Sequence, residues 1–143
     1  MKLRTGQPWM TGAEYGRSLS GFGVNLLVRD VPASVAFHRA VLNAIVVYED
    51  PDFAVLRHGT AEMMLHADHT YDRHPIRDRL DGKRGNGLEL RLHQTDPDAA
   101  EAAARAGGYD VMAAAADKGH GLREAYIVDP DGYIWVPDRP TGA

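Results

Sequence analysis

The chain contains no cysteine in 143 residues. That excludes disulfides, thiolate nucleophiles and zinc–thiolate sites together, and it fits a cytoplasmic protein. Positive charge is not in excess: Lys and Arg number 16 against 20 Asp and Glu, for a formal net charge of −4. A surface that tracks phosphates needs the opposite balance, so no nucleic acid is expected as a partner. Long apolar runs are missing. Residues 1–20, MKLRTGQPWMTGAEYGRSLS, lack the apolar stretch of a signal peptide or a membrane span, and no membrane partner is expected. Neither G-x-S-x-G, G-x-x-x-x-G-K, H-E-x-x-H nor a dinucleotide fingerprint occurs. What is present is an ordinary globular composition, 44% hydrophobic and 25% charged, in a length that suits one domain.

The chain reads as a polar arm over residues 1–20, loosely ordered, followed by two similar halves at about 21–70 and 86–138. In the first half Gly23–Asp30 (GVNLLVRD) is an alternating strand, followed by a helical run from Val31. In the second, Glu89–Asp96 (ELRLHQTD) plays the same part and the helix follows from Pro97. Asp30 and Asp96 fit N-caps, and the proline in each first turn removes an N–H that has no helical partner. Arg39 and Arg105 fall in register, and Gly107-Gly108 ends the second helix. Short β segments follow each helix: Ile45–Glu49, Phe53–Arg57 and Ala61–His66, then about Asp110–Ala113, Arg123–Val128 and Tyr133–Pro137. Each half is therefore β-α-β-β-β. The stretch between them, HADHTYDRHPIRDRLDGKRGN, contains His66, His69 and His74 at no regular spacing among Arg, Asp and Gly, and reads as a solvated connection.

Near the C-terminus, Tyr126–Pro137 (YIVDPDGYIWVP) places two apolar runs around Asp129-Pro130-Asp131-Gly132. Proline presets one turn dihedral and glycine is free to take positive φ, so this is a β-hairpin. The strand–DPDG–strand ending, the two β-α-β-β-β halves and the segment DVPASVAFHRAVLN resemble the vicinal oxygen chelate superfamily over about residues 20–138. That superfamily holds glyoxalases, ring-cleaving dioxygenases and bleomycin-resistance proteins. The departures are His38 where the family commonly has Tyr and Asn43 where it has Gly. The resemblance implies an α+β fold, two βαβββ modules forming a curved mixed sheet with helices on the convex face, and a ligand cleft on the concave face.

Alternation assigns the faces of the strands. Phe22, Val24, Leu26 and Val28, then Met63 and Leu65, then Leu88, Leu90 and Leu92 form the apolar set that packs under the helices, together with Tyr133 and Trp135. The opposite parity, read with the resemblance, gives a ligand-binding lining of Asn25, Leu27, Glu62, Met64, His66, Glu89, Arg91, His93, Ile134 and Val136. The same polar parity is also the signature of an antiparallel sheet with one face in water. His120, in Gly119-His120-Gly121, reads as an exposed loop residue before the last hairpin.

Metal-dependent members of the family hold their ion with His, Gln or Glu in the first and last strands of each half. The resemblance maps those positions to Gly23, Glu62, Glu89 and Val136. Two of the four lack a donor, whereas a tightly held transition metal needs three or four ligands. The expectation is therefore no metal, no cofactor and no catalytic residue. It describes a drug-sequestering, antibiotic-resistance-like protein similar to bleomycin-resistance proteins, a homodimer with its ligand cleft between subunits. Glu62, Glu89 and the net negative charge suit a cationic small-molecule ligand. The alternative is a divergent metal-dependent glyoxalase-like lyase or dioxygenase using Glu62, Glu89 and a nearby His.

Overall fold

A computed structural model describes residues 1–142. It contains three α-helices, α1 (Gly12–Ser18), α2 (Val31–Leu42) and α3 (Pro97–Ala106). The eight strands are β1 (Asn25–Val28), β2 (Ile45–Glu49), β3 (Phe53–His58), β4 (Ala61–Ala67), β5 (Glu89–Leu92), β6 (Asp110–Asp117), β7 (Leu122–Val128) and β8 (Ile134–Pro140). They form two four-stranded mixed sheets, ordered β1-β4-β3-β2 and β5-β8-β7-β6. In each sheet the first strand of the half runs parallel to the last, and the remaining pairs are antiparallel. The fold is α+β with two βαβββ modules, as the sequence implies.

Local chemistry sets the helix boundaries. The Asp30 carboxylate accepts from the Ala33 N–H at 2.9 Å, and Asp96 accepts from those of Asp98 and Ala99 at 2.9 and 3.2 Å, so both act as the N-caps expected. Asn43 ends α2 in the left-handed region at φ 54°. Asparagine tolerates that conformation better than most side chains, which is why it can stand where the family has Gly.

One core runs between the helices and both sheets. Phe37, Val35 and Val41 of α2 meet Leu56 and Leu65 of the first sheet and Ile127 and Trp135 of the second. Burial of each such side chain is worth roughly 1.5–3 kcal/mol, and this shared layer joins the two modules. The parity set packs as expected at Leu26, Val28, Met63, Leu65, Tyr133 and Trp135, all buried. Phe22 and Leu88 depart from it, 94% and 45% exposed. Both lie just before their strands begin at Asn25 and Glu89, and alternation holds a face only where a ladder fixes the backbone.

The closing turn is built around Asp129. Its Oδ1 accepts the N–H groups of Asp131, Gly132 and Tyr133 at 2.9 to 3.0 Å, and its Oδ2 accepts the Trp135 indole N–H at 3.0 Å. Gly132 has φ 101°, and a Cβ there would lie 3.2 Å from the Arg84 carbonyl oxygen. Glycine is thus required for conformation and for space.

The connection between the modules is less solvated than its composition suggests. Arg84 is buried; it donates to the carbonyls of Leu80 and Leu27, both at 2.9 Å, and to Asp68 at 2.8 and 2.5 Å. The arm also departs from expectation, being held in place. Asp52, only 2% exposed, accepts from the N–H groups of Leu3 and Arg4 at 2.7 to 3.0 Å and pairs with His69 Nε2 at 2.6 Å. A buried carboxylate without such partners would be costly, so Asp52 fixes the arm as much as the arm satisfies Asp52. Helix α1 follows from a capping box, with Glu14 N–H donating to Thr11 Oγ1 at 3.1 Å and Thr11 N–H to Glu14 Oε2 at 2.7 Å.

Candidate functional site

The arm crosses the concave face of the first sheet and encloses a hollow of about 340 Å³ with it. Trp9 stacks on Tyr48 of β2, with centroids 4.4 Å apart and planes 19° from parallel, and faces Phe53 of β3 at 6.1 Å and 23°. Tyr15 of α1 meets Phe53 edge-on at 5.9 Å. Phe53 pairs with His66 and Val55 with Met64 across β3 and β4, so these side chains share a face by register. Met64 and His66 form part of the hollow's floor.

The polar groups of this face are tied together. His66 Nδ1 lies 2.5 Å from Asn25 Oδ1, and Asn25 Nδ2 donates to the Tyr71 hydroxyl at 3.0 Å. Burial pushes the His66 pKa down, against the attraction of Asp50, so the ring is neutral at physiological pH. The Tyr15 hydroxyl donates to Glu62 Oε2 at 3.4 Å. Burial, then the nearby Glu62 charge, pushes that phenol up to about 12.

The concave face of the second sheet is different in kind. Arg91 on β5 binds Glu124 of β7 and Asp138 of β8, the latter at 3.2 Å from Nε, and approaches Glu89 at 3.4 Å. Glu124 and Asp138 are both buried. Burial opposes the charge on Arg91, but hydrogen bonding to Glu124 and its charge outweigh that and raise its pKa. Burial likewise works against the Glu124 carboxylate, and Arg91 and Tyr126 overcome it and hold its pKa down. His93 places Nδ1 2.9 Å from Asp138 Oδ1. His120, exposed as expected, reaches Glu124 at 3.5 Å.

Eight of the ten residues that parity selects thus separate into two groups, with Leu27 and Glu62 apart from both. Asn25, Met64 and His66 are brought together beneath the arm, while Glu89, Arg91, His93, Ile134 and Val136 share the second sheet's face. Glu62 and Arg91 line a smaller hollow of about 200 Å³ with Phe22 and Trp135, between the modules. Leu27 and Val136 are buried side chains. Sequence reasoning did not find Trp9, Tyr15, Tyr48 and Phe53 as lining, nor Glu124 and Asp138 as partners of Arg91. The Thr11–Glu14 spacing was a usable signal for α1; the pairing of Arg91 with residues 33 and 47 positions away had no local one.

The model of the Glyoxalase/Bleomycin resistance protein/Dioxygenase superfamily matches residues 23–136. The chain belongs to that superfamily. No curated protein sequence matches this member. Among solved structures it resembles a glyoxalase/bleomycin resistance protein/dioxygenase family enzyme from Burkholderia phytofirmans PsJN, at TM-score 0.68 and 20% identity over 82% of this chain and 96% of that one. It also resembles TioX from Micromonospora sp. ML1, at TM-score 0.64 and 22% identity over 87% and 98%. A glyoxalase/bleomycin resistance protein/dioxygenase from Nocardioides aligns at 0.64 and 20% over 92% and 93%. At these identities the structures speak to fold.

The superfamily's metal positions do not fit an ion in this member. Gly23 has no side chain and Val136 is apolar and fully buried. Glu62 pairs with Arg57 at 3.3 Å, and Glu89 lies beside Arg91 at 3.4 Å. Among the described residues no group of three or more His, Cys, Asp or Glu is placed to hold a metal ion. The carboxylates that do converge, Glu89, Glu124 and Asp138, converge on the guanidinium of Arg91.

Proposed function

We propose that this chain binds a small organic molecule on the concave side of its sheets and does so without a metal, as a sequestering protein of the drug-resistance kind. The observation that carries the reading is the hollow of about 340 Å³ beneath the arm, walled by Trp9, Tyr15, Phe53 and Met64 and carrying one neutral imidazole, His66. Apolar and aromatic walls with a few placed polar groups are the usual make-up of a ligand pocket. The emptied donor positions at Gly23 and Val136 support the metal-free part. In this reading a second copy of the chain completes the cleft, and the exposed apolar side chains of Phe22, Leu88 and Met112 are available to such an interface.

The test is a thermal-shift comparison of the purified chain with divalent metals and with a broad small-molecule collection. A ligand specific for the native state raises the melting temperature by mass action. The expected result is stabilisation by one or more organic compounds and none by Ni, Zn, Fe or Mn. Stabilisation by a metal alone, abolished by Glu89→Ala, would favour the divergent lyase or dioxygenase. Light scattering should give twice the chain mass of 15.6 kDa; a monomer at all concentrations would remove the shared cleft.

A further inference from the structure

The arm supplies most of the lining of the hollow, and the way it is held bears on how that site opens; this step rests on the metal-free binding reading. Trp9, Tyr15 and Leu19 line the hollow from the arm, and Phe53, Met64 and His66 line it from the sheet. With the arm lifted no hollow remains, only an open sheet face. A molecule held between the two layers depends on the arm for its upper wall.

The arm also buries part of that face. Val55 is fully buried, yet it stands on the concave parity of β3 and outside the core packed under the helices. Its cross-strand neighbours are Tyr48 and Met64. Tyr15 meets the Phe53 ring at 5.9 Å, and its hydroxyl reaches Glu62, which stands opposite Arg57 in the ladder. Phe53, Val55 and Arg57 follow one another on one face, so the Tyr15 ring spans the position of Val55.

The attachments are few and concentrated. Among the described residues, no backbone–backbone hydrogen bond joins residues 2–22 to the rest of the chain. Their backbone is held by one side chain. Both oxygens of Asp52 accept from the Leu3 N–H, at 2.7 and 2.9 Å, and Oδ2 also accepts from the Arg4 N–H at 3.0 Å. His69 Nε2, 2.6 Å from Oδ1, fixes that carboxylate from the side of the body. The second hold is the Trp9 ring on Tyr48. Tyr15 is the arm's one buried side chain, and the arm contributes nothing to the shared core. A segment with so few tertiary holds opens at a lower free energy than the whole fold. At its far end the chain passes through Leu19–Gly23, all exposed. Gly21 has φ 70°, and a Cβ there would meet nothing within 4 Å, which leaves room for a hinge.

We infer that the arm is the lid of this site. It opens as a unit about Leu19–Gly23 while both sheets stay folded, and Asp52 is the latch that sets how often it does so. Asp52 borders the hollow, but its oxygens are taken by the arm and His69. It acts on a ligand through the arm, as a positioning residue.

The lack of cysteine gives a clean readout. Val55→Cys and Val35→Cys place the same thiol at two buried points, one beneath the arm and one in the core on α2. The full chain is labelled with iodoacetamide and followed by intact mass. The thiol at position 55 should react at least about tenfold faster than that at position 35, because the lid opens more often than the fold. Asp52→Ala should speed labelling at position 55 about tenfold further and leave position 35 unchanged. Trp9→Ala removes the other hold and should act in the same direction, which keeps the test decisive if Asp52→Ala does not fold. Equal rates at the two positions would overturn the inference, since the arm would then open only with the whole fold. So would labelling at position 55 at the rate of a free thiol, or a rate there that neither Asp52→Ala nor Trp9→Ala changes. No ligand enters this assay, so its failure removes the lid and leaves the binding reading standing. A thermal-shift screen without a stabilising compound removes the binding reading, while the opening of the arm is still measured.

Discussion

Mild acid should destabilise this protein through two histidines buried at the junction of the modules. His38 on α2 is fully buried, and its Nδ1 lies 3.1 Å from Nε2 of His58 on β3. Trp135 packs against both rings, and His38 Nε2 has no partner. Burial, helped by the neighbouring His58, pushes the His38 pKa down from 6.5 to about 3; burial takes His58 down to about 4. Both folded values lie below the unfolded one, so the unfolded chain binds more protons in between. Their contribution is fully present above the unfolded pKa of about 6.5 and is lost as pH falls toward the folded values. At about pH 5 each unfolded histidine gains about 2 kcal/mol from protonation that the folded form does not, or about 4 kcal/mol for the pair. For a chain of this size that is on the order of 10 °C in melting temperature. Asp129 and Asp131, whose pKa values burial raises, act with the opposite sign, so the readout is a difference between two proteins. Urea unfolding of the wild type and of His38→Phe, measured from about pH 8 down to about pH 5, should show the wild type losing about 2 kcal/mol more than the variant. Equal pH dependence in the two proteins would refute the claim that burial of this pair controls acid stability.

Three further substitutions test how the fold is held. Asp129→Ala orphans three backbone N–H groups and the Trp135 indole and should cost at least about 3 kcal/mol, read from urea unfolding. Arg84→Met leaves the Leu80 carbonyl and Asp68 without their donor, while the Leu27 carbonyl keeps the Tyr133 hydroxyl and Asp131 keeps Arg29 at 3.3 Å; the expected loss in the same assay is about 2 kcal/mol. Gly132→Ala, at φ 101° and 3.2 Å from the Arg84 backbone, should cost about 2 kcal/mol, and a neutral result would mean that the turn is free to relax.

Much of the fold was legible because its signals are local. A cap such as Asp30 or Asp96 acts within three residues, and the DPDG turn is complete in four. Period-2 patterning placed Leu26, Val28, Leu65 and Trp135 in the core because ladder pairing holds each of those strands. It failed at Phe22 and Leu88, where no ladder begins. The candidate site was legible only in halves. Asn25, Met64 and His66 follow from parity, but the wall opposite them comes from Trp9 and Tyr15, more than thirty positions away from Tyr48 and Phe53. Nothing in the arm's composition says that Asp52 will anchor it. The same limit explains Arg91: a charged residue on a concave face reads as a ligand contact until Glu124 and Asp138 are brought to it by the sheet.

This superfamily member is proposed to bind an organic ligand, without a metal, in the hollow beneath its arm, apart from Gly23, Glu62, Glu89 and Val136, where the resemblance puts metal ligands. Native mass spectrometry of the chain, expressed with Ni, Zn, Fe and Mn supplied, tests it in one measurement. The account predicts a metal-free dimer that gains the mass of one organic ligand per chain when a compound that raises the melting temperature is added. One metal ion per chain, lost on Glu89→Ala, would contradict it.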